Sequence, residues 1–168
     1  IPAPDVGTNS TIMGHMFRQF SDGEREKHTV RGVITGKDVR IGGSEGRSKA
    51  TGQGLAYCVE EWAKENGKSL QGATFTLQGF GNVGQAAAEI LAAMGARLLA
   101  VQDADGTIFN PDGIDVNALT AYVYENKDNL RRTVGGFPGA EPLGRNDFWA
   151  VETDVCIPAA LGNVINGE

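Results

Sequence analysis

The sequence predicts an α/β fold, an open parallel sheet with helices on both of its faces. Two short runs, Ala73–Gln78 and Arg97–Gln102, have the composition of buried strands. Between them, a cluster of glycines is followed by apolar residues at helical spacing. A strand, a helix and a second strand within about 30 residues form a unit whose strands run parallel with a right-handed crossover.

Two further helices are predicted before this unit. After an extended entry loop at residues 1–8, Asn9 or Ser10 can cap the first helix. Its apolar residues share one face, which we expect to lie in the core: Met13, Met16, Phe17 and Phe20. A second helix is predicted from Arg47 to about Asn66, ended by Gly67. Its apolar face consists of Leu55, Cys58, Val59 and Trp62.

After the unit, turn signals separate two more elements. Turns are predicted at residues 105–106 and 110–113, where Asp, Asn, Pro and Gly cluster. Asp115 can cap a helix with apolar residues Val116, Leu119 and Val123. Residues 133–147 predict a loop rich in Gly and Pro, and residues 154–157 predict a late strand that ends at Pro158.

The composition limits the class of protein. A chain of 168 residues is long enough for one domain with a core. Its 15 basic and 21 acidic residues give a net charge of −6, which argues against a nucleic-acid partner. It lacks the run of about 18 apolar residues that a membrane helix needs. With Cys58 and Cys156 as the only cysteines, we expect free, buried thiols in a cytoplasmic protein.

The glycines after the first strand form the motif G-x-G-x-x-G from Gly79 to Gly84. In this context Gly79 permits a tight turn, Gly81 lets a diphosphate approach the backbone, and Gly84 allows close packing of helix on strand. The amides at the helix N-terminus can then bind an anion without any basic side chain. The pattern therefore predicts a Rossmann-like, doubly wound fold with a dinucleotide site.

Asp103 follows the second strand at about the 20-residue spacing from this motif at which dinucleotide sites carry a carboxylate. A carboxylate there can accept hydrogen bonds from the adenosine ribose and repels a 2′-phosphate. We therefore expect NAD as the cofactor, with NADP as the alternative. Asp105 and Gln102 are rival candidates for this position, and Asp103 has an alternative role as an ordinary turn aspartate.

These motifs together resemble the glutamate dehydrogenase family, and the resemblance extends over nearly the whole chain. The stretch Pro2–Asn9 is similar to the family's entry into its nucleotide domain. Seven further motifs follow in order: Gly32–Lys37, Gly42–Arg47, Ala50–Gly52, Gln78–Gly84, Asn110–Asp115, Gly136–Glu141 and Ile157–Leu161. The stretches GGSEGR and GFPGAE resemble the glutamate branch more than its leucine, phenylalanine and valine relatives.

The resemblance implies an NAD(P)-dependent oxidoreductase that deaminates L-glutamate to 2-oxoglutarate and ammonia. It also implies that Thr51 and Asn82 hold the nicotinamide carboxamide, and that the loop with Ala159, Ala160 and Asn163 lies beside the nicotinamide ribose. Each of these assignments has an alternative without a ligand. Thr51 would be a helix hydroxyl bonded to its own backbone, Asn82 a helix-start residue, and the loop a plain strand-to-helix turn. The complete set of expected cofactor-binding residues is Thr51, Gly79, Phe80, Gly81, Asn82, Val83, Gly84, Asp103, Ala159, Ala160 and Asn163.

The resemblance assigns no catalytic residue to this chain. The family's catalytic Lys and Asp belong to positions upstream of Ile1, and its substrate-binding Ser to helices beyond Glu168. We therefore expect one dinucleotide-binding domain, residues 1–168, truncated at both ends. Lys37 and Lys49 do not match the catalytic motif and are interpreted as solvated surface lysines. With only His15 and His28 as histidines and no ligand spacing, no metal site is expected.

Three hypotheses for function follow. The first is a cofactor-binding domain that binds NAD but is inactive alone towards glutamate. The second is a freestanding, non-catalytic module that senses NAD(H) or assembles with a partner. The third is a relative specific for Leu, Phe or Val. Loss of covering helices would expose apolar surface, so we also expect self-association.

Overall fold

The computed structural model describes residues 1–5, 7–23, 30–162 and 164–165. Four helices lie within these ranges: α1 (Ser10–Ser21), α2 (Ala50–Glu65), α3 (Asn82–Ala93) and α4 (Val116–Tyr124). The strands described are β1 (Thr74–Gln78), β2 (Arg97–Gln102), β3 (Thr107–Phe109), β4 (Glu141–Pro142) and β5 (Val155–Pro158). Single 3-10 turns lie at 31–33, 39–41 and 147–150. The chain divides into two compact units, Ile1–Ala50 and Thr51–Glu168.

The first unit is built on α1, which begins as predicted. The Asn9 side chain caps it by accepting a hydrogen bond from the Ile12 amide at 3.1 Å. The expectation that its apolar face lies in the core is wrong in part, because only Met13 is buried while Met16 and Phe20 are 41% and 45% exposed. Helical spacing shows that apolar residues share a face, but it does not show what covers that face. His28 lies outside the described residues.

Lys37 corrects a second expectation for this unit. It is 5% exposed rather than solvated. Its ammonium donates to the carbonyls of Arg31 at 2.6 Å and Ile34 at 2.7 Å, and lies 4.7 Å from the centre of the Phe17 ring. Burial, and then the charge of Arg31, lower its pKa. Main-chain carbonyls have replaced water around this cation, which no sequence pattern indicated. Lys49 is exposed, as predicted.

The second unit contains a sheet with the strand order β4-β3-β2-β1-β5. β1 runs parallel to β2 and to β5, which confirms the predicted α/β, Rossmann-like class. The sheet is mixed rather than wholly parallel, because β3 is antiparallel to both β2 and β4. The turn at 103–106 between β2 and β3 is too short for a parallel crossover, so the chain must return antiparallel. A turn was predicted at residues 105–106, within this connection, whereas β3 and β4 were not predicted.

The core lies where α3 and α4 pack beside the sheet. Alternate residues of β1, Phe75 and Leu77, belong to the core cluster, as do Leu91 of α3 and Leu119 of α4. The Asp115 side chain caps α4 as predicted, by accepting from the amides of residues 117 and 118 at 2.9 and 3.0 Å. The sequence thus placed this helix correctly.

The buried face of α2 differs from the predicted one. Leu55 and Val59 pack against the core, but Trp62 and Cys58 are exposed, and the small residues Gly52, Ala56 and Ala63 are buried instead. A Cβ on Gly52 would lie 2.7 Å from the Ala86 Cβ, so α2 approaches α3 too closely for large side chains.

Cys58 and Cys156 are free, as expected, but both are exposed, so the expectation of buried thiols is wrong. Among the described residues, no helix has the length and apolar character to cross a membrane.

Candidate functional site

The strand order reverses between β1 and β5. From β1 the chain continues to β2 on one side, while β5 returns to the other side of β1. In open α/β sheets, ligands bind at such a switch point, outside the carboxyl ends of the strands. The turn from Gly79 to Gly84 leaves β1, and the segment with Ala159 and Ala160 leaves β5. Both loops were predicted to bind the cofactor, and the fold brings them together.

Gly79 and Gly84 allow close contacts within the turn that leaves β1 and between this turn and the segment after β5. Gly79 has a φ of +92°, its amide donates to the Gln102 carbonyl at 2.6 Å, and a Cβ on it would lie 2.5 Å from the Ala159 carbonyl oxygen. A Cβ on Gly84 would overlap the Gly79 carbonyl. Only glycine fits at either position, because one needs a left-handed backbone and the other a close approach. These are the structural roles predicted for the two residues.

Gly81 differs from these two glycines. It has a φ of −87° and a ψ of −163°, values that any residue adopts, and it precedes α3 as its N-cap. It is exposed, and a Cβ on it would meet nothing within 4 Å. No side chain caps α3, and its first turn carries no acidic residue. The amides at this helix end therefore have no side-chain cap, and the first turn of α3 itself carries no carboxylate to compensate their positive dipole.

Gln78 and Gln102, the last residues of β1 and β2, are hydrogen-bonded to the loops that follow β5 and β1. Main-chain oxygens of Gln78 and Gln102 accept from the amides of Ala159 at 2.7 Å and Gly79 at 2.6 Å. Their buried side chains also pair, since Gln78 Nε2 donates to Gln102 Oε1 at 3.3 Å. Gln102 Nε2 in turn donates to the Arg145 carbonyl at 2.7 Å. Gln78 Oε1 is buried without a hydrogen-bond partner in the part of the chain that is described.

Asp103 lies at the predicted place, after the last residue of β2, but its carboxylate already accepts main-chain hydrogen bonds. Oδ1 accepts from the amides of Asp105 at 3.0 Å and Gly106 at 3.1 Å, and Oδ2 accepts from the Val134 amide at 2.7 Å. This is the geometry of a turn aspartate. Two carboxylate oxygens offer about four acceptor positions, so one remains for a further donor. Of its rivals, Gln102 is buried in the amide pair, and Asp105 is paired with Arg131 at 3.0 Å.

Thr51 and Asn82 lie in the first turns of α2 and α3, and both are exposed. The residues next to them are in contact, since a Cβ on Gly52 would lie 2.9 Å from the Val83 carbonyl oxygen. The structure therefore brings the N-terminal ends of these two helices together, as a shared carboxamide site requires.

The other expected contact residues divide by burial. The Phe80 side chain is buried in the core, so only its main chain remains available to a ligand. Val83 and Ala159 are half-buried, and Ala160 is exposed. Asn163 lies outside the described residues.

Tyr124 is a residue that the sequence analysis missed. From α4 its hydroxyl donates to the Phe80 carbonyl within the glycine turn at 2.8 Å. Burial raises the pKa of Tyr124, an effect that the charge of Arg132 opposes and the charge of Glu89 reinforces. The hydroxyl therefore remains protonated and able to donate at neutral pH. No motif contains this residue, so only the packing of α4 beside α3 shows its place.

Among the residues that the structure describes, no cluster of His, Cys, Asp or Glu could hold a metal ion. Besides the Asp103 carboxylate, the candidate groups at the switch point are main-chain amides, the Asn82 amide side chain and the Thr51 hydroxyl. Neutral donors of this kind suit the diphosphate and carboxamide of a dinucleotide.

Comparisons with known sequences give a consistent result. The family described as Glutamate/Leucine/Phenylalanine/Valine dehydrogenase matches residues 42–168. The chain is 42% identical over 173 aligned positions to an NAD-specific glutamate dehydrogenase of Peptoniphilus asaccharolyticus, covering 100% of this chain and 40% of that protein. It is 36% identical to a catabolic NAD-specific glutamate dehydrogenase of Bacillus subtilis, covering 100% of this chain and 38% of that one.

Solved structures show the same similarity in three dimensions. A hetero-hexameric glutamate dehydrogenase from Thermus thermophilus matches with a TM-score of 0.81 at 31% identity, over 98% of this chain and 37% of that one. The glutamate dehydrogenase from Peptoniphilus asaccharolyticus matches with a TM-score of 0.73 at 35% identity, over 99% and 37%. The chain thus spans 40% or less of the length of these relatives.

Proposed function

This chain belongs to the glutamate/leucine/phenylalanine/valine dehydrogenase family, and from that premise we propose that residues 1–168 form the dinucleotide-binding domain of a glutamate dehydrogenase-like oxidoreductase. The observation that carries the proposal is the geometry at the carboxyl ends of β1 and β5. There the bare, exposed Gly81 precedes an uncapped helix N-terminus, next to the loop that leaves β5. A diphosphate is the kind of ligand that such an end binds.

The residues at this end of the sheet would fit a nicotinamide dinucleotide in four places. The amides around Gly81 would hold the diphosphate, and Gly79 and Gly84 would keep the loop in shape. Thr51 and Asn82 would bind the carboxamide, while Ala159, Ala160 and Asn163 would flank the nicotinamide ribose. The remaining acceptor position of Asp103 would bind the adenosine ribose. NAD is the proposed cofactor, since two relatives are NAD-specific by name; NADP is the alternative.

When bound, the cofactor would accept a hydride from the substrate, which we propose to be L-glutamate. This chain's contribution would be to bind and orient the cofactor, so that one face of the nicotinamide meets the substrate. The motif in which the family carries its catalytic lysine does not occur in this sequence. We therefore propose that the isolated chain does not oxidise glutamate; glutamate-dependent formation of NADH by the pure chain would contradict this.

Gly81→Ala tests the site with little effect on the fold. The added methyl group meets no protein atom within 4 Å and the backbone angles suit alanine. We expect it to weaken NAD+ binding by about 10-fold or more, because it obstructs the approach of the diphosphate to the loop. Isothermal titration calorimetry with NAD+, NADP+ and ADP-ribose measures the effect.

Gly54→Ala is the matched control. Gly54 lies on α2, and a Cβ there also meets nothing within 4 Å. This variant should bind NAD+ as the unmodified chain does, and should melt at the same temperature or slightly higher. The proposal fails if the folded, unmodified chain binds none of the three ligands, or if Gly81→Ala binds NAD+ as tightly as Gly54→Ala.

A further inference from the structure

Tyr124 contacts the glycine turn through a hydrogen bond. Its hydroxyl donates to the Phe80 carbonyl at 2.8 Å, across the contact between α4 and α3. The Phe80 side chain is buried, so this peptide is held from both sides, by the aromatic ring in the core and by the Tyr124 hydroxyl. The hydrogen bond therefore determines the direction of the Phe80 carbonyl.

The direction of that carbonyl also determines the direction of the next amide. The peptide bond is planar and trans, so the carbonyl of Phe80 and the N–H of Gly81 point in opposite directions. With the carbonyl turned towards Tyr124, the Gly81 N–H points away from α4. This N–H has no acceptor among the described residues, and Gly81 itself is exposed.

A hydrogen bond to a carbonyl also polarises its peptide group. The amide of the same peptide becomes a stronger donor when its carbonyl accepts a bond from another group. The Tyr124 hydroxyl thus acts on Gly81 twice, through the orientation of the peptide and through its polarity.

We propose that Tyr124 is a positioning residue for the dinucleotide, whose hydroxyl orients and polarises the Phe80–Gly81 peptide so that the Gly81 amide is presented to the diphosphate. The inference rests on the proposed function of the glycine turn and adds a residue outside the G-x-G-x-x-G motif. It predicts that the hydroxyl, rather than the aromatic ring, carries the effect.

The same helix offers a matched control. Tyr122, also on α4 and also half-buried, donates its hydroxyl to the Gly135 carbonyl at 2.8 Å. The variants Tyr124→Phe and Tyr122→Phe therefore remove the same kind of bond at the same length, one at the glycine turn and one at the 133–136 loop. A purely structural role would affect both variants alike.

The test is a calorimetric titration of both variants with NAD+ and with ADP-ribose. We expect Tyr124→Phe to weaken both ligands by about 3- to 10-fold, the range of one hydrogen bond, and Tyr122→Phe to bind as the unmodified chain does. Thermal unfolding of the two variants should shift by similar amounts. Equal binding by Tyr124→Phe and the unmodified chain, or equal weakening in both variants, overturns the inference while leaving the proposed function intact.

A second readout needs no ligand. In 15N-labelled protein, Tyr124→Phe should move the Gly81 amide resonance, whereas Tyr122→Phe should move that of Gly136, the residue after its acceptor. An unmoved Gly81 resonance in Tyr124→Phe overturns the inference even if the variant binds NAD+ weakly. If the unmodified chain binds neither NAD+ nor ADP-ribose, the proposed function fails and the inference fails with it.

Discussion

At the scale of single residues, Asp103 shows how one side chain can have two explanations. Its carboxylate accepts three main-chain hydrogen bonds, which tie the 103–106 turn to Val134. The Asp103 amide closes the same turn on the Gly106 carbonyl at 2.9 Å. Any substitution here removes acceptors from partly buried amides as well as a candidate ribose contact. Loss of NAD+ binding alone would therefore not show that Asp103 touches the cofactor.

We predict that Asp103→Ala lowers the free energy of unfolding by about 1 to 3 kcal/mol, because it leaves amides without an acceptor. Asp105→Ala in the same turn removes only a surface ion pair with Arg131, so it should lower that free energy by about 0 to 1 kcal/mol. Urea denaturation of both variants measures the difference. Equal stability of the two variants would contradict the role of Asp103 in the turn.

The ratio of the dissociation constants for NAD+ and NADP+ is the measurement that isolates a ribose contact, because the ratio cancels a general loss of folded protein. A repelling carboxylate at Asp103 predicts that Asp103→Ala moves this ratio towards NADP+. The ratio should stay constant in Asp105→Ala.

At the scale of elements, β1 and β5 are joined at their amino ends by Asp154. Its Oδ2 accepts from the amide and hydroxyl of Thr74 at 2.9 and 3.0 Å, and its own amide donates to the Thr74 hydroxyl at 3.1 Å. Lys68 lies 3.6 Å from the other carboxylate oxygen. The hydrogen bonds from Thr74, and then the charge of Lys68, lower the pKa of Asp154. The start of the strand pair thus depends on a carboxylate, whereas its carboxyl end, at the switch point, depends on neutral amides.

We predict a pH-dependent contribution from Asp154. Its pKa in the folded chain lies below the ordinary carboxyl value of about 3.9, so its contribution to stability is present above that value. The contribution is lost as the pH falls through the lowered pKa. Asp154→Asn keeps one oxygen acceptor but does not titrate.

Urea midpoints of the unmodified chain and of Asp154→Asn between pH 6 and pH 2.5 test this prediction. The unmodified chain should be the more stable of the two at pH 6, and the difference should shrink as the pH falls below about 4. Other carboxylates titrate in both proteins and cancel in the comparison. A difference that does not change with pH would show that the charge of Asp154 is not involved.

At the scale of the whole molecule, several apolar side chains that follow β5 are exposed. Leu161 and Ile165 are 74% and 62% exposed, and Val164 is also exposed. Among the described strands, β5 pairs only with β1, so its other edge has no strand partner there. Apolar surface beside an open strand edge favours association with another chain.

The self-association expected from the sequence therefore remains a prediction, now with a location. Light scattering after size exclusion should give a mass above 17.7 kDa that rises with protein concentration. Reducing agent belongs in the buffer, because Cys156 on β5 is exposed and could form a disulfide between chains. A constant mass of 17.7 kDa at every concentration would contradict the prediction. Leu161→Lys places a charge within the proposed contact, so we expect a lower mass by light scattering than for the unmodified chain at the same concentration.

The sequence alone determined the elements that depend on local chemistry. The βαβ unit, the caps Asn9 and Asp115 and the turn at Gly79–Gly84 follow from spacing and from backbone geometry, which act between neighbouring residues. It also predicted the family. The roles of Gly79 and Gly84 could be read from the motif because each depends on a glycine's missing Cβ.

Only the tertiary structure determined which side chains are buried and which segments contact each other. The burial of Lys37, the exposure of Met16 and Phe20, and the pairing of β5 with β1 depend on which segments meet, and residues far apart in the sequence leave no periodic signal of that meeting. Tyr124 reaches Phe80 for the same reason, since α4 packs beside α3. Local geometry is encoded within a few residues, whereas the partners of a side chain are selected by packing over the whole chain.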